Sequence, residues 1–403
     1  MTHNAPPSPS SAFERISRNV SDIVTEESLR KYLEASQESG RPLRVKFGID
    51  PTFTHVHIGH AVPIRLLRTF QELGHLPVLI IGDGTARLGD PTGRNEQRPP
   101  LSLEEVQHNS TTYLDQIGKV LDLSPEVCEV RRNSEWFEEM DFFDCLRLAS
   151  CGTVARLLER DDFKKRMAER LPVHLHEMHY PIMQGWDSVQ VRADVEIGGN
   201  DQLFNLHMGR LLQEREGHRP QVCLTTPLLL GTDGQKMSKT YGNHVPLLSE
   251  PNDMFGKVMS VTDDQMPDWF RLLTSLEEEE ISKILQGHPR EAKGRLADEI
   301  VTWLHNSAVA KSAAQAFDSQ FRKKQVPDDI PECALESNLP LANLLKEAGL
   351  VSSTSDARRT IKQGGVKVNG EPAVDPSALI PLGDEPTMIQ VGKRRFANIR
   401  ERS

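Results

Sequence analysis

Residues 44–60 read RVKFGIDPTFTHVHIGH. Arg44–Ile49 is a short β-prone run, and Asp50, Pro51 and Thr52 break it. From His57 the apolar residues recur at helical spacing, with Ile58, Ile64, Leu67 and Phe70 on one side as far as Gly74. Residues 78–81 are continuously apolar and closed by Gly82, the pattern of a strand buried on both faces of a parallel sheet. Strand, loop, helix and buried strand in that order predict a doubly wound, Rossmann-like α/β fold. Ligands of such a sheet bind beyond the carboxyl ends of its strands, at the point where strand order reverses. The loops 50–60 and 82–93 are therefore expected to face a ligand.

The alternation extends outward from this unit and sets an α/β domain over 22–250. Helical patterns are expected over 22–39, 103–119, 142–149, 175–191 and 201–215, and strands at 128–130, 194–197 and 221–225. From 251 to 321 the strand signals stop and charged, helical-period segments predict an all-α domain. Residues 322–339 are polar, carry Pro327 and Pro331, and read as a linker. The final stretch, 340–403, holds a helix pair (341–348 and 354–363), a glycine-rich turn and a β-prone run at 366–369. The proline- and serine-rich start, 1–21, reads as a disordered tail and lead-in, with no apolar core for a secretory signal.

Composition limits the function classes. The 403 residues are 37% hydrophobic and 26% charged, which excludes a collagen-like or fully disordered chain. The longest apolar run, 76–81, falls far short of the roughly 18 residues that a membrane span needs. The five cysteines (128, 145, 151, 223 and 333) are odd in number and form no CxxC pair. That spacing predicts neither a disulfide framework nor a zinc site, and the cysteines are read as packing residues in a reducing, cytoplasmic setting. A net charge of −10 argues against a whole-chain grip on nucleic acid, DNA included. Yet 340–403 carries ten Lys/Arg against seven Asp/Glu, which suggests a separate module with its own polyanionic partner.

Two motifs carry chemistry. In His57-Ile58-Gly59-His60 two imidazoles stand at i and i+3, on one side of a helix amino terminus whose free N–H groups and dipole favour anions. Gly59 leaves room for a ligand near the backbone. In Lys236-Met237-Ser238-Lys239-Thr240 two lysines stand in a loop carrying Gly231, Gly234 and Gly242. Such a loop can close on a polyphosphate and meet the charge of a leaving pyrophosphate. Taken singly, each motif also fits an ordinary charged surface.

Together they resemble the HIGH and KMSKS signatures of class I aminoacyl-tRNA synthetases. The chain is most similar to the tyrosyl branch, from about residue 44 to 402. The resemblance implies ATP, arriving with Mg2+ as a substrate complex, together with L-tyrosine and tRNA(Tyr) as substrates. It implies a homodimer, and no protein-bound metal or prosthetic group. His57, His60, Lys236 and Lys239 would be catalytic. Gly48, Asp50, Gly59, Gly199, Asp201 and Lys239 would bind ATP or the adenylate. Tyr180, Gln184 and Asp187 match the family's YxxxQxxD helix, at i, i+4 and i+7 on one face. There Tyr180 and Gln184 would hold the substrate ammonium with Asp90, Asp187 would accept from the phenol, and Gln202 would border the amino acid. Many members have Tyr where this chain has Lys46, which could either donate to the phenol in its place or point away from it. Arg94 and Arg98 occupy positions that touch the tRNA acceptor end in the family. The tail resembles an S4-type RNA-binding domain, with Arg358, Arg359, Lys362 and Lys367 as phosphate contacts. Two readings stay open beside tyrosine: a tryptophan-specific relative, and a non-catalytic RNA-binding protein on the same scaffold.

Overall fold

The computed structural model describes residues 8–52, 56–90, 102–238, 241–324, 330–335, 339–383, 386–392 and 395–401. The chain forms two compact units, 1–311 and 312–403.

The first unit is built on six strands: β1 (Asp22–Val24), β2 (Arg44–Ile49), β3 (Leu76–Ile81), β4 (Glu129–Arg132), β5 (Val195–Gly199) and β6 (Val222–Thr226). Their order is β1-β6-β5-β2-β3-β4, parallel throughout except for the antiparallel edge strand β1. The chain runs outward from β2 through β3 to β4, then returns to lay β5 on the other side of β2. The order therefore reverses between β2 and β5, and the ends of these two strands, Ile49 and Gly199, open the crevice where a ligand is expected. Residues 77–81 of β3 are buried, as a strand covered on both faces requires.

The helix Ile58–Glu72 packs Ile58, Ile64, Leu67 and Phe70 inward. On the other side of the crevice, Tyr180–Gln190 crosses Leu203–Arg215 at two glycines. A methyl group on Gly185 would lie 2.9 Å from the Gly209 nitrogen, so only glycine permits this approach. Those two helices share a core with Val78, Ile80, Trp136, Ile182 and Met208.

Several boundaries differ from the sequence reading. The 1–21 segment is not all tail: Pro9–Ser17 is a helix with Pro near its start and Ser8 accepting from the Ser11 N–H at 3.3 Å. It buries Phe13 and Ile16, and Arg30 stacks 3.5 Å above the Phe13 ring. The expected 22–39 helix begins only at Glu26, because Asp22–Val24 pairs with β6. The all-α stretch does not form its own unit up to 321. Trp269 donates to the Leu230 carbonyl at 3.2 Å, and the division falls after Lys311, within the helix Ser307–Lys324. The 322–339 segment is not simply a linker, since β7 (Glu332–Leu335) joins a sheet. Cys128 and Cys223 are buried packing residues, but Cys145 is exposed.

The second unit holds the sheet β7-β11-β10-β8-β9, with β8 (Val366–Val368), β9 (Glu371–Pro372), β10 (Thr387–Val391) and β11 (Arg395–Glu401). The helices Leu341–Glu347 and Thr354–Lys362 cover it, burying Leu341, Leu344, Leu345 and Ile361 against Val366, Ile389 and Ile399.

Candidate active site

The crevice floor is set by Asp50, one residue past β2. Its Oδ1 accepts from Thr85 Oγ1 at 2.7 Å and its Oδ2 from the Tyr180 hydroxyl at 2.9 Å. A methyl group on Gly82 would lie 2.0 Å from Asp50 Oδ1, so β3 must be followed by glycine for the carboxylate to sit there. Gly48 faces open space. Burial, with Asp50 and Asp90 nearby, raises the Tyr180 hydroxyl well above its ordinary range, so it acts as a donor.

His57 caps the helix Ile58–Glu72, and its segment pairs with 245–247 through Ile58 N–H to the Val245 carbonyl at 2.8 Å. The His57 and His60 rings stack at 3.8 Å, and His60 Nδ1 accepts from the His57 N–H at 3.3 Å. Burial, then the neighbouring His60 and His244, lowers His57 to about 2, and burial lowers His60 to about 4. Both imidazoles are thus neutral at pH 7 and can act as hydrogen-bond donors but not as cations. His57 Nδ1 is buried with no partner among the described residues. The room left by Gly59 is taken by the motifs themselves. A methyl there would lie 3.1 Å from the His57 ring and 3.4 Å from Met237 Sδ, so the lysine loop rests on the histidine motif.

That loop is tied down more than its glycines predict. Asn243 is buried; its Nδ2 donates to Asp233 Oδ1 at 2.8 Å and the Lys236 carbonyl at 3.2 Å, and its Oδ1 accepts from Ser238 N–H at 2.8 Å. Lys236 is exposed at the loop's edge. Asp201 reaches solvent at the mouth of the crevice. There the surrounding protein mass and Asp90 push its carboxyl above the usual range, while Lys236 pulls it down. Lys239, Arg94 and Arg98 lie outside the described residues.

Tyr180, Gln184 and Asp187 share one helix face. Asp187 is buried, with Oδ1 accepting from Trp136 Nε1 at 3.0 Å and Oδ2 from Asn133 Nδ2 at 3.4 Å. Burial outweighs Lys46 and these two donors and raises Asp187 to about 7. Gln184 Oε1 accepts from Asn205 Nδ2 at 2.9 Å, and the same amide reaches Gln202 Oε1 at 2.8 Å. Gln202 in turn donates to Asp90 Oδ2 at 2.9 Å. Arg160, buried, anchors this chain by donating to Asn205 Oδ1 at 2.8 Å, with Asp90 at 3.8 Å. Asp50, Asp90 and Asp201 crowd one mouth, a negative field suited to an ammonium group and to ribose hydroxyls.

Lys46 takes the second of the two courses open to it in the sequence and points away from a phenol. Its ammonium is fully buried and donates to the Gln184 carbonyl (2.7 Å), Ser188 Oγ (2.8 Å) and Glu196 Oε1 (2.8 Å). An ammonium has three protons, so none remains for a phenol. Its part is to fasten the helix Tyr180–Gln190 to β5. Asn133, Trp136, Arg160, Asn205 and Asn243 were missed by sequence reasoning. The only local hint was a polar or aromatic residue inside an otherwise unremarkable segment.

In the second unit Arg358, Arg359, Lys362 and Lys367 are all exposed. Arg359 pairs with Asp356 at 2.6 Å. Among the described residues no helix is long and apolar enough to cross a membrane.

A family described as tRNA synthetases class I (W and Y) matches residues 37–322, and the S4 domain matches 339–386. Tyrosine–tRNA ligase 2 of Vibrio parahaemolyticus is 48% identical over 394 residues, covering 96% of this chain and 98% of its own. The tyrosine–tRNA ligase of Haemophilus influenzae is 47% identical, with 96% of each chain covered. Among solved structures, a C-terminally truncated mitochondrial tyrosyl-tRNA synthetase of Aspergillus nidulans aligns with a TM-score of 0.64 at 22% identity, over 77% of this chain and 94% of that one. A tyrosyl-tRNA synthetase of Archaeoglobus fulgidus complexed with L-tyrosine gives 0.60 at 23%, over 76% and 100%. At these identities the structural likeness speaks for the fold.

Proposed function

The chain belongs to the class I tRNA synthetases of the tryptophan and tyrosine group, and on that premise we propose that it activates L-tyrosine with ATP and transfers it to tRNA(Tyr). In the first step a tyrosine carboxylate oxygen bonds to the α-phosphorus of ATP and the bond to the β-phosphate oxygen breaks, releasing pyrophosphate. In the second, the terminal ribose hydroxyl of the tRNA attacks the carbonyl carbon and AMP leaves. The nucleophile of the first step is already ionised, so the work is positioning and charge stabilisation.

The observation that carries this reading is the seating of Met237 against Gly59, between His57 and His60. It brings the lysine loop and two neutral imidazoles to one helix amino terminus. His57 and His60 donate to the triphosphate, and Lys236 with Lys239 neutralises the departing pyrophosphate. Magnesium accompanies the ATP. Asp50 and Gly48 face the adenylate, Asp201 the ribose and Asp90 the ammonium. Asp187 accepts from the phenol; a substrate without the hydroxyl leaves that acceptor short of a partner. Tyrosyl-tRNA synthetases are themselves the standard worked example of such hydroxyl-based discrimination.

Arg358, Arg359, Lys362 and Lys367 contact tRNA phosphates, and Arg94 and Arg98 the acceptor end. A homodimer is part of the proposal. The helix Phe142–Ala149 leaves Phe142 71%, Phe143 75% and Leu146 50% exposed, an apolar face that a second copy would cover. Charging of tRNA(Tyr) with labelled tyrosine tests the whole reaction; charging of tRNA(Trp) with tryptophan instead would overturn the substrate assignment.

A further inference from the structure

A cavity of about 1040 Å³ lies away from both motifs, lined by the later turns of the helix Ile58–Glu72, the helix Pro9–Ser17, residues 118–124 and Thr274, Ser275 and Glu277. Its size suits a small molecule. Five cations line it: Arg15, Arg18, Arg65, Arg68 and Lys119. Three carboxylates oppose them, Glu72, Asp122 and Glu277, so the wall is cationic in a chain whose net charge is −10.

The excess charge sits at Arg65 and Lys119; Lys119 is exposed, and Arg65 is the half-buried one of the two. Glu72 is shared, with Arg15 at 3.1 Å and Arg68 at 3.2 Å. Glu277 serves Arg18 at 3.0 Å. Asp122 is occupied by the Ser124 hydroxyl at 2.6 Å and its N–H at 3.0 Å. Arg65 has no ion-pair partner among the described residues. Its guanidinium lies 4.4 Å from the Trp303 ring centre, and its one polar contact among those residues is a long 3.5 Å bond to Ser275 Oγ. Burial, partly offset by Glu72 and reinforced by Arg18, lowers Arg65 to about 10. A planar fork of donors, half-buried, stacked on an aromatic ring and short of acceptors, is suited to a phosphoryl group.

We infer that this cavity binds a small phosphorylated molecule, its phosphoryl group held by Arg65 and flanked by Arg18, with Ser275 as a neutral donor. A concave cavity walled on several sides favours a free small molecule over the backbone of a nucleic acid. The site is independent of the tyrosine reaction.

Isothermal titration of the full chain with inorganic phosphate at fixed ionic strength tests this. A saturable site is expected that Lys236→Ala leaves within twofold, that Arg65→Gln weakens at least tenfold, and that Arg65→Lys weakens less. Phosphate should also change the tryptophan fluorescence, a response lost in Trp303→Phe. Circular dichroism and pyrophosphate exchange should be unchanged in Arg65→Gln; if that variant does not fold, Arg18→Gln, whose side chain is 34% exposed, takes its place. The inference is overturned by no saturable binding, by affinity that neither arginine variant changes, or by loss in Lys236→Ala alone, which would put phosphate only in the motif crevice. Weakened tRNA binding in Arg65→Gln with phosphate binding intact would likewise overturn it, assigning the cavity to RNA.

Discussion

Replacing Lys46 by methionine should destabilise the first unit strongly and raise KM for tyrosine. The Lys46 and Glu196 side chains are 0% and 1% exposed, and their charges meet at 2.8 Å. Methionine fills much of the lysine volume but leaves the Glu196 carboxylate without its counter-charge. Its remaining donors are neutral: Ser188 Oγ at 3.0 Å, Gln184 Nε2 at 3.3 Å and Gln221 Nε2. Removing one member of a buried pair costs about 3–5 kcal/mol. With a urea m value of about 3 kcal/mol/M, the midpoint should fall by about 1–1.7 M. All four tryptophans (136, 186, 269 and 303) lie in the first unit, so their fluorescence reports its unfolding alone. Lys46→Met with Glu196→Gln removes both charges and should recover more than half of the loss. Because the ammonium also holds the Gln184 carbonyl, tyrosine KM should rise more than ATP KM. A single-variant cost below about 1 kcal/mol, or a double variant no better than the single, would refute the reasoning.

Asp187 should give tyrosine binding a pH dependence. With its carboxyl raised to about 7, it becomes a full acceptor only as pH passes neutrality, so KM for tyrosine should fall between pH 6 and 8, and this dependence should vanish in Asp187→Asn. The stability sign is opposite. The folded state keeps a proton that the unfolded chain releases near 4, so the associated stability is present below that pH and lost as pH rises through about 7. Asn243→Ala removes three hydrogen bonds from the lysine loop and should slow tyrosine-dependent pyrophosphate exchange by about 10–100-fold while leaving tyrosine KM within twofold. Arg358→Glu with Lys362→Glu reverses two exposed charges one helical turn apart; it should weaken tRNA charging and flatten its salt dependence, with exchange unaffected.

What was legible in the sequence was local. The parallel sheet followed from runs such as 78–81, and both motifs announced themselves by short spacing. The YxxxQxxD face was readable because i, i+4 and i+7 share a side of any helix. What was hidden depended on the fold bringing distant residues together. Trp136 and Asn133 meet Asp187 from more than fifty positions away, and Arg160 reaches Asn205 across 45. Lys46 stands where the family has a Tyr, and its direction stayed open in the sequence because its acceptor Glu196 is 150 residues distant. Other misses had signals that were available. Ser8 and Pro9 before Phe13 and Ile16 form a helix start that was overshadowed by the proline-rich composition. β1 is only three residues long and directly precedes the Thr25 cap, so the helical period absorbed it. The lysine loop read as one free to close on a ligand because it carries three glycines, whereas one asparagine, Asn243, ties Asp233, Lys236 and Ser238 together.

The most direct test of the central claim is amino-acid-dependent exchange of labelled pyrophosphate into ATP, with tyrosine, phenylalanine and tryptophan side by side. Exchange with tyrosine alone is the result expected from the crevice and its Asp187 acceptor. Exchange with tryptophan, or none with any of the three in a folded sample, would contradict it.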